Sequence, residues 1–387
     1  MATRRMVTGL LLGTAVALAG TGVPGAGAAE AIRIGFHAPL TGFAAGDGKS
    51  ARLGAELAVE QINAAGGVLG RPLELVTYDD QAKPDQAVPV ANKLLGEGIV
   101  AAISGSYSGA TRAAAAVFQQ AGMPYVSAYA IHPDITRTGD YVFRTASMGE
   151  VQGRGGAKLI GEILGRKRVV LITLDNDFGQ SLARGFKEKA GDFGIEIVSE
   201  YTYSIKQRQF GAIVASVKRD APEAIYASGY FFTAGPLVSQ LRAGGVRATI
   251  IGQEGYDSQN FIDIAKAAAE GVLITTALDR DSDRPEVRSF IGAFEEKAGF
   301  PADMVAASTY TAVQVLAHAI ERAGGTEGKA VRDALAATRD FPTAIGPVTF
   351  NALGEIYKPI QVQVVKDGRF RRFAVIDDPV LLAPPAE

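Results

Sequence analysis

Apolar runs and helix-like apolar periodicities alternate along the chain from residue 31 onward. Residues 31–39 and 73–78 are predicted strands, and the apolar positions between them recur along one face of a helix over 50–65. Gly66 ends that helix. A strand, a helix and a second strand in this order form the unit from which parallel sheets are built.

The same alternation continues through the first two thirds of the chain. Further strands are predicted at residues 100–104, 169–174, 196–200, 224–227, 249–252 and 272–276, and helices at 84–95, 113–121, 180–190 and 234–243. Strands that are apolar throughout, such as 169–174, are typical of parallel sheets covered by helices on both faces. We therefore predict an α/β protein made of two doubly wound parallel-sheet lobes.

The order of elements changes after residue 276. Helices at 286–297 and 305–323 are followed by extended segments at 348–350 and 360–365, so the chain is expected to cross between the lobes more than once. The predicted division is an N-terminal lobe of 29–147 plus 278–352, a C-terminal lobe of 148–277 plus 353–376, and a tail of 377–387.

The first residues have the pattern of a secretory signal peptide. Arg4 and Arg5 precede an apolar run over 6–19, and small residues follow up to Ala28. This pattern predicts a signal peptide over 1–28, cleaved near Ala28, and export to the periplasm. A retained membrane anchor is the alternative, although glycines and a proline interrupt the run before it reaches a full span. The pattern leaves open whether export is by the general or the twin-arginine route.

Composition narrows the possible functions. The 39 basic and 41 acidic residues leave no basic excess for binding nucleic acid. The chain has no cysteine and only three histidines, and these lack metal-binding spacing, so we predict neither a metal nor another cofactor. Gly105 to Gly109 is similar to the turn that presents a catalytic serine, but Tyr107 stands at the position of the nucleophile.

Several polar and aromatic residues directly follow predicted strands. Ser108 lies between a strand and a helix, where the helix N-terminus can bind a carboxylate, and Glu254 follows another strand and can pair with an ammonium group. The aromatic residues near such strand ends are Tyr107, Tyr129, Phe178, Tyr230, Phe231, Phe232 and Tyr256. Together they predict a small-molecule pocket. Ser108 could instead only cap its helix, and Glu254 could be a solvated loop acid.

These residues belong to a series of segments that resembles the periplasmic amino-acid-binding proteins of the leucine/isoleucine/valine type, the solute receptors of ABC importers. The matching segments cover nearly the whole chain after the signal peptide and are residues 38–42, 60–67, 78–80, 84–91, 143–145, 177–179 and 269–271. The resemblance implies a type I periplasmic binding fold, in which two lobes joined by three crossovers close over a ligand.

The resemblance also implies roles for individual residues. Ser108 and the neighbouring backbone N–H groups, including that of Gly109, match the site that holds the ligand carboxylate. Glu254 matches the glutamate that pairs with the ligand ammonium.

The next matching cluster is formed by Tyr129, Ala130 and Ile131, where the family supplies a backbone carbonyl and a threonine to the ligand. Ile131 stands in place of that threonine, so one hydroxyl is lost. A standard branched-chain ligand therefore becomes less favoured, and Tyr129 favours a larger amino acid or carboxylate, including an aromatic one.

Five further positions match the pattern of the family or depart from it. Phe178 and Phe231 match the aromatic positions that close over the ligand side chain, and Asp47 stands where the family often has an aromatic residue. Tyr107 and Ala82 occupy the two positions of a small disulfide that the family usually has.

The predicted function is that of a non-enzymatic, exported protein that binds an amino acid or related small carboxylate. We expect it to act as a monomer and to deliver this solute to an ABC permease in the inner membrane. One alternative is a ligand-sensing receptor of the same fold. The other is a secreted serine hydrolase that uses Ser106 or Ser108.

Overall fold

The structure is a computed structural model that describes residues 1–3, 6 and 30–386. The predicted cleavage site at Ala28 and residues 7–19 of the apolar run before it lie outside these residues. The strands of the described part are β1 (Ile32–Ala38), β2 (Leu73–Asp79), β3 (Ala101–Ser104), β4 (Tyr125–Ser127), β5 (Val142–Arg144), β6 (Arg168–Leu174), β7 (Glu196–Tyr203), β8 (Ala224–Ala227), β9 (Thr249–Gly252), β10 (Leu273–Thr276), β11 (Ile360–Lys366) and β12 (Arg369–Ile376).

The helices of the same residues cover both sheets. They are α1 (Ala45–Ala64), α2 (Pro84–Leu95), α3 (Ser108–Gln120), α4 (Gly149–Lys158), α5 (Asp177–Ala190), α6 (Gly211–Asp220), α7 (Phe231–Ala243), α8 (Gln259–Ala265), α9 (Pro285–Ala298), α10 (Met304–Ala323) and α11 (Gly328–Ala336). Within the described ranges, no helix combines the length and the apolar character needed to cross a lipid bilayer.

The first sheet is parallel and has the strand order β2-β1-β3-β4-β5. Ile34 of the central strand β1 pairs with Leu75 on one side and with Ala101 on the other. Strand β1 is buried along almost its whole length, as expected for a central strand covered by helices on both faces, and only Arg33 is partly exposed. Helix α10 returns from late in the chain to pack against α1, and this sheet with its helices forms the first lobe.

The second sheet has the order β12-β11-β10-β9-β8-β6-β7 and forms the second lobe with its helices. The five strands β6 to β10 are parallel, as predicted, whereas β11 and β12 are antiparallel. The turn between β11 and β12 consists of Asp367 and Gly368, both with positive φ, which is typical of a two-residue hairpin. Strand β12 was not predicted as a separate strand, although this Asp-Gly pair indicates it.

Three segments connect the lobes, as the resemblance implied: one between β5 and α4, one between β10 and α9, and one before β11. A buried ion pair ties the end of β5, where the first segment begins, to the third segment. Arg144 Nε donates to Glu355 Oε2 at 3.1 Å, and both side chains are almost fully buried. Arg144 Nη1 also donates to the carbonyl oxygens of Ala130 and His132, and the Thr136 hydroxyl donates to Glu355.

Some predicted elements differ from the observed ones for physical reasons. The extended segment at 348–350 forms only isolated bridges. Strands β4 and β5 have three residues each, too few for a periodicity, and α4 is rich in glycine. Those glycines let α4 contact α5 closely, since a Cβ atom on Gly153 would lie 2.2 Å from the carbonyl oxygen of Leu182.

Candidate functional site

A cavity of about 290 Å³ lies between the two lobes. The first lobe contributes Asp47, Tyr107, Ser108, Tyr129, Ala130, Met304 and Val305, and the second contributes Phe178, Tyr230, Glu254 and Gly255. Seven of the ten predicted site residues therefore line one cavity. The structure does not place Gly109, Ile131 or Phe231 on its wall.

Several helices begin at this cavity. Asp47 lies in the first turn of α1, Ser108 and Met304 are the first residues of α3 and α10, Phe178 is the second residue of α5, and Tyr230 caps α7. The first N–H groups of a helix have no partner inside the helix, and the helix dipole makes this end partly positive. The starts of these helices therefore offer partly positive backbone groups to an anionic part of a ligand.

Ser108 is placed to hold an anion. Its Oγ accepts a hydrogen bond from the Ile131 N–H at 3.2 Å, which leaves the hydroxyl hydrogen for a ligand. The first backbone bond of α3 runs from the N–H of Thr111 to the carbonyl of Tyr107 at 2.9 Å, so the N–H groups before Thr111 precede the helical ladder. Gly109 has only its backbone N–H to offer here. A Cβ atom at this position would lie 3.2 Å from Cγ of Pro84.

Glu254 lies on the opposite side, directly after β9. Its Oε2 accepts a hydrogen bond from Gln152 Nε2 at 3.0 Å, and the side chain is buried. Burial raises the pKa of Glu254 to about 8, while the hydrogen bond from Gln152 and the nearby Lys358 act in the opposite direction. Although Lys358 is near enough to act on its pKa, Glu254 forms no ion pair within the described residues, and a ligand ammonium would supply one.

Behind Glu254 lies a second cavity of about 220 Å³, between the segments that connect the lobes. Its wall is formed by Ser147, Gln152, Glu254, Thr276, Ala277, Lys358, Pro359 and Ile360. Within the described residues, the Nζ atom of Lys358 has no hydrogen-bond partner, and burial lowers the pKa of Lys358 to about 7. Glu254 therefore connects the cavity between the lobes with a buried amine at the hinge.

Asp47 is the second carboxylate of the main cavity. Its Oδ2 accepts a hydrogen bond from the Tyr107 hydroxyl at 2.6 Å, and burial raises the pKa of Asp47 to about 7. The Tyr107 ring stacks on the Tyr230 ring of the other lobe, with centroids 3.9 Å apart and planes within 2°. The two lobes thus touch directly beside Asp47.

The aromatic wall differs by one residue from the prediction. Tyr230, rather than Phe231, lines the cavity, and its ring also stacks on Phe178 at 4.8 Å. Phe231 packs edge-on against Phe232 at 5.2 Å and approaches Gly46 of the first lobe. Tyr230 belongs to the aromatic group noted in the sequence, but nothing there distinguishes it from its neighbour.

The cluster at 129–131 takes up several positions. Tyr129 lines the cavity and donates its hydroxyl to the carbonyl oxygen of Gly105 at 2.6 Å. Ala130 also lines it, and its carbonyl oxygen accepts from Arg144 at 3.2 Å. Ile131 is fully buried and reaches the site only through its N–H on Ser108. Met304, Val305 and Gly255 were not predicted, because no chemical signal in the sequence points to them.

The structure does not bring a histidine to Ser106 or Ser108 in the part of the chain that it describes. Ser106 donates to Asp80 at 3.0 Å, and His37 contacts Asp80 and Tyr125 instead. Residues 1–3, 6 and 30–386 also contain no group of three or more His, Cys, Asp or Glu side chains that could hold a metal ion.

Comparison with known proteins identifies the family. Residues 31–369 match the family model described as "Periplasmic binding protein". The chain belongs to the periplasmic binding protein family. Family membership confirms the predicted solute-binding protein and its type I fold.

Individual relatives of this periplasmic binding protein align with it along most of its length. A leucine-, isoleucine-, valine-, threonine- and alanine-binding protein of Pseudomonas aeruginosa is 32% identical and aligns with 85% of this chain and 88% of its own. The Leu/Ile/Val-binding protein BraC3 of Rhizobium johnstonii is 34% identical over 84% of this chain and 89% of its own. The crystal structure of LivJ from Streptococcus pneumoniae in complex with isoleucine superposes with a TM-score of 0.84 at 29% identity, covering 90% of this chain and 99% of LivJ.

Proposed function

We propose that this protein binds an amino acid or related small carboxylate between its lobes. The ligand carboxylate contacts Ser108 and the first N–H groups of α3, and the ligand ammonium pairs with Glu254. One observation carries the proposal: these two groups come from different lobes and line the same cavity. The relatives from Pseudomonas aeruginosa and Rhizobium johnstonii are leucine-, isoleucine- and valine-binding proteins, which supports the same ligand class.

The energetics of such a complex are favourable. A carboxylate at a helix N-terminus gains charge-assisted hydrogen bonds, and an ammonium beside Glu254 stabilises the ionised carboxylate that burial disfavours. Hydrogen bonds to charged groups contribute about 1.5–3 kcal/mol each, and micromolar affinity requires about 8 kcal/mol. Two charged contacts and a buried side chain are therefore sufficient.

The rest of the cavity suits a side chain with apolar or aromatic surface. Phe178, Tyr129 and Tyr230 surround it, and Ile131 brings no hydroxyl to the site. Aromatic amino acids and aromatic carboxylates therefore belong in the ligand panel beside leucine.

In the cell, this assignment corresponds to a monomeric, non-catalytic receptor in the periplasm that delivers its solute to an ABC permease in the inner membrane. The signal peptide would be removed near Ala28. The first lobe would span 29–147 plus 278–352, and the second 148–277 plus 353–376.

Titration calorimetry with Glu254→Gln tests the proposal. We expect the affinity for leucine, or for the best amino acid of the panel, to fall at least about 30-fold, because losing one partner of a buried charge pair costs about 2–5 kcal/mol. Glu296→Gln, an exposed glutamate on α9, is the matched control and should bind as the unchanged protein does.

A chemical control completes this test. 4-Methylpentanoate has the skeleton of leucine without its amine, so it should bind much more weakly than leucine to the unchanged protein. The proposal is wrong if the best-bound amino acid of the panel binds no more tightly than the same compound without its α-amine, or if Glu254→Gln retains full affinity for that amino acid.

A further inference from the structure

The main cavity holds two carboxyl groups and no basic side chain among the described residues that line it. Asp47 belongs to the first lobe and Glu254 to the second. Only 5% of the surface of Asp47 and 4% of that of Glu254 is exposed. A zwitterion with an apolar side chain offers one cation, which Glu254 takes, and one anion, which α3 takes. Asp47 would then remain without a cationic partner.

The surroundings of Asp47 do not supply such a partner. Its hydrogen bond comes from the Tyr107 hydroxyl, and the charged groups that affect it, Asp303 and Asp257, are both acidic. The Ser50 hydroxyl, which lies on the same helix, donates to Asp303 at 2.5 Å instead. The start of α1 offers only the partial positive charge of its dipole.

The same chain treats a structural buried carboxylate differently. Glu355 is paired with Arg144 and also accepts from Thr136, so its charge is balanced inside the protein. A buried carboxylate left without such a partner is unfavourable. The position of Asp47 on the cavity wall therefore indicates that its partner arrives with the ligand.

We infer that the ligand is an amino acid whose side chain ends in a protonated amine, which Asp47 binds from the first lobe while Glu254 binds the α-ammonium group from the second. This inference rests on the proposed function and specifies its substrate class. The stacked rings of Tyr107 and Tyr230 lie beside Asp47, where their edges can pack against the methylene groups of such a side chain.

Competitive binding of length-matched amino acids tests the inference. The probes are lysine against norleucine and ornithine against norvaline, which differ only in the terminal amine. For the unchanged protein, we expect at least one amine to bind tenfold or more tightly than its apolar match. In Asp47→Asn, which keeps the size and an acceptor oxygen, this preference should fall at least tenfold.

Asp85→Asn is the matched control, since Asp85 lies in the first turn of α2 and is exposed. It should leave the preference unchanged. The inference is overturned if norleucine or leucine binds the unchanged protein as tightly as lysine and ornithine do, or if Asp47→Asn retains the full preference. Binding of apolar amino acids that depends on Glu254 but not on Asp47 would refute this inference alone. Failure of every amino acid to bind would refute the proposed function as well.

Discussion

Two groups of buried charges in this protein are completed in different ways. At the hinge, Arg144 and Glu355 form an ion pair, and backbone carbonyls and Thr136 take up the remaining hydrogen-bonding groups. Around the cavities, Glu254 has Gln152 as its hydrogen-bond donor, and the amine of Lys358 has no partner in the described residues.

This difference in pairing distinguishes buried charges that stabilise the fold from buried charges that line the cavity. A buried charge without a partner is costly, so a fold tolerates it only where something else provides the missing interaction. The hinge pair is complete in the chain itself and serves to hold two connecting segments together. The carboxyl groups of the cavity have no such partner, and by our proposal a solute completes them. The following changes test this distinction.

The largest effect is expected from Arg144→Met. It leaves Glu355 buried without its cation, so the free energy of unfolding should fall by about 3–5 kcal/mol. Urea denaturation of the ligand-free protein measures this change. Removing both charges in Arg144→Met/Glu355→Met should restore part of the loss, and a fall of less than 1 kcal/mol in the single variant would contradict the structural role of the pair.

Glu254→Gln should change the pH dependence of stability in the ligand-free protein. The pKa of Glu254 is raised from 4.5 to about 8, so the unfolded chain ionises first and the folded state loses stability as pH rises across this window. The loss is at most about 1.4 kcal/mol per pH unit for one group. Asp47 acts in the same direction, because its pKa is raised from 3.8 to about 7.

Urea denaturation at pH 5, 6, 7 and 8 gives the comparison. The glutamine variant should become increasingly more stable than the unchanged protein as the pH rises, since it lacks the ionising group. A difference between the two proteins that stays constant from pH 5 to 8 would show that Glu254 is not a buried carboxyl of raised pKa.

The smallest effect is expected from Lys358→Met. The variant removes a buried amine without a hydrogen-bond partner, so stability near pH 7 should not fall. The affinity for an amino acid should fall up to about tenfold, because Lys358 lowers the pKa of Glu254 and one pKa unit corresponds to about 1.4 kcal/mol. Calorimetry at pH 7 measures this, with the exposed Lys366→Met as control. A loss of stability as large as that of Arg144→Met would place Lys358 with the hinge pair.

Much of the fold could be predicted because long elements carry their own periodicity. Strand β6 and helix α10 are examples, each with an extended apolar pattern. Strands of three residues, such as β4, leave no such pattern, and their place depends on neighbours distant in the sequence. The glycine-rich α4 forms because it packs against α5, which local preference does not indicate.

The residues of the site also fall into those that a local sequence signal indicates and those that only the fold brings to the cavity. The placement of Ser108 and Glu254 on the cavity wall could be predicted because each lies within four residues after the end of a strand and has a polar group typical of ligand binding. Met304 reaches the cavity because α10 returns to the first lobe, and an apolar residue gives no sign of this. The choice between Tyr230 and Phe231 depends on which of two adjacent rings the start of α7 turns inward.

The stacked pair of Tyr107 and Tyr230 has a mechanical consequence. The two rings already lie at van der Waals separation, and each is attached to the start of a helix in a different lobe. Their contact therefore sets the smallest distance to which the two lobes can approach here. A small ligand cannot bring the lobes closer together than this contact allows, and a large ligand keeps them further apart. In the fully closed state, the surface that the protein presents to a partner is therefore set by this contact. It is the same for every ligand that is small enough to permit the contact.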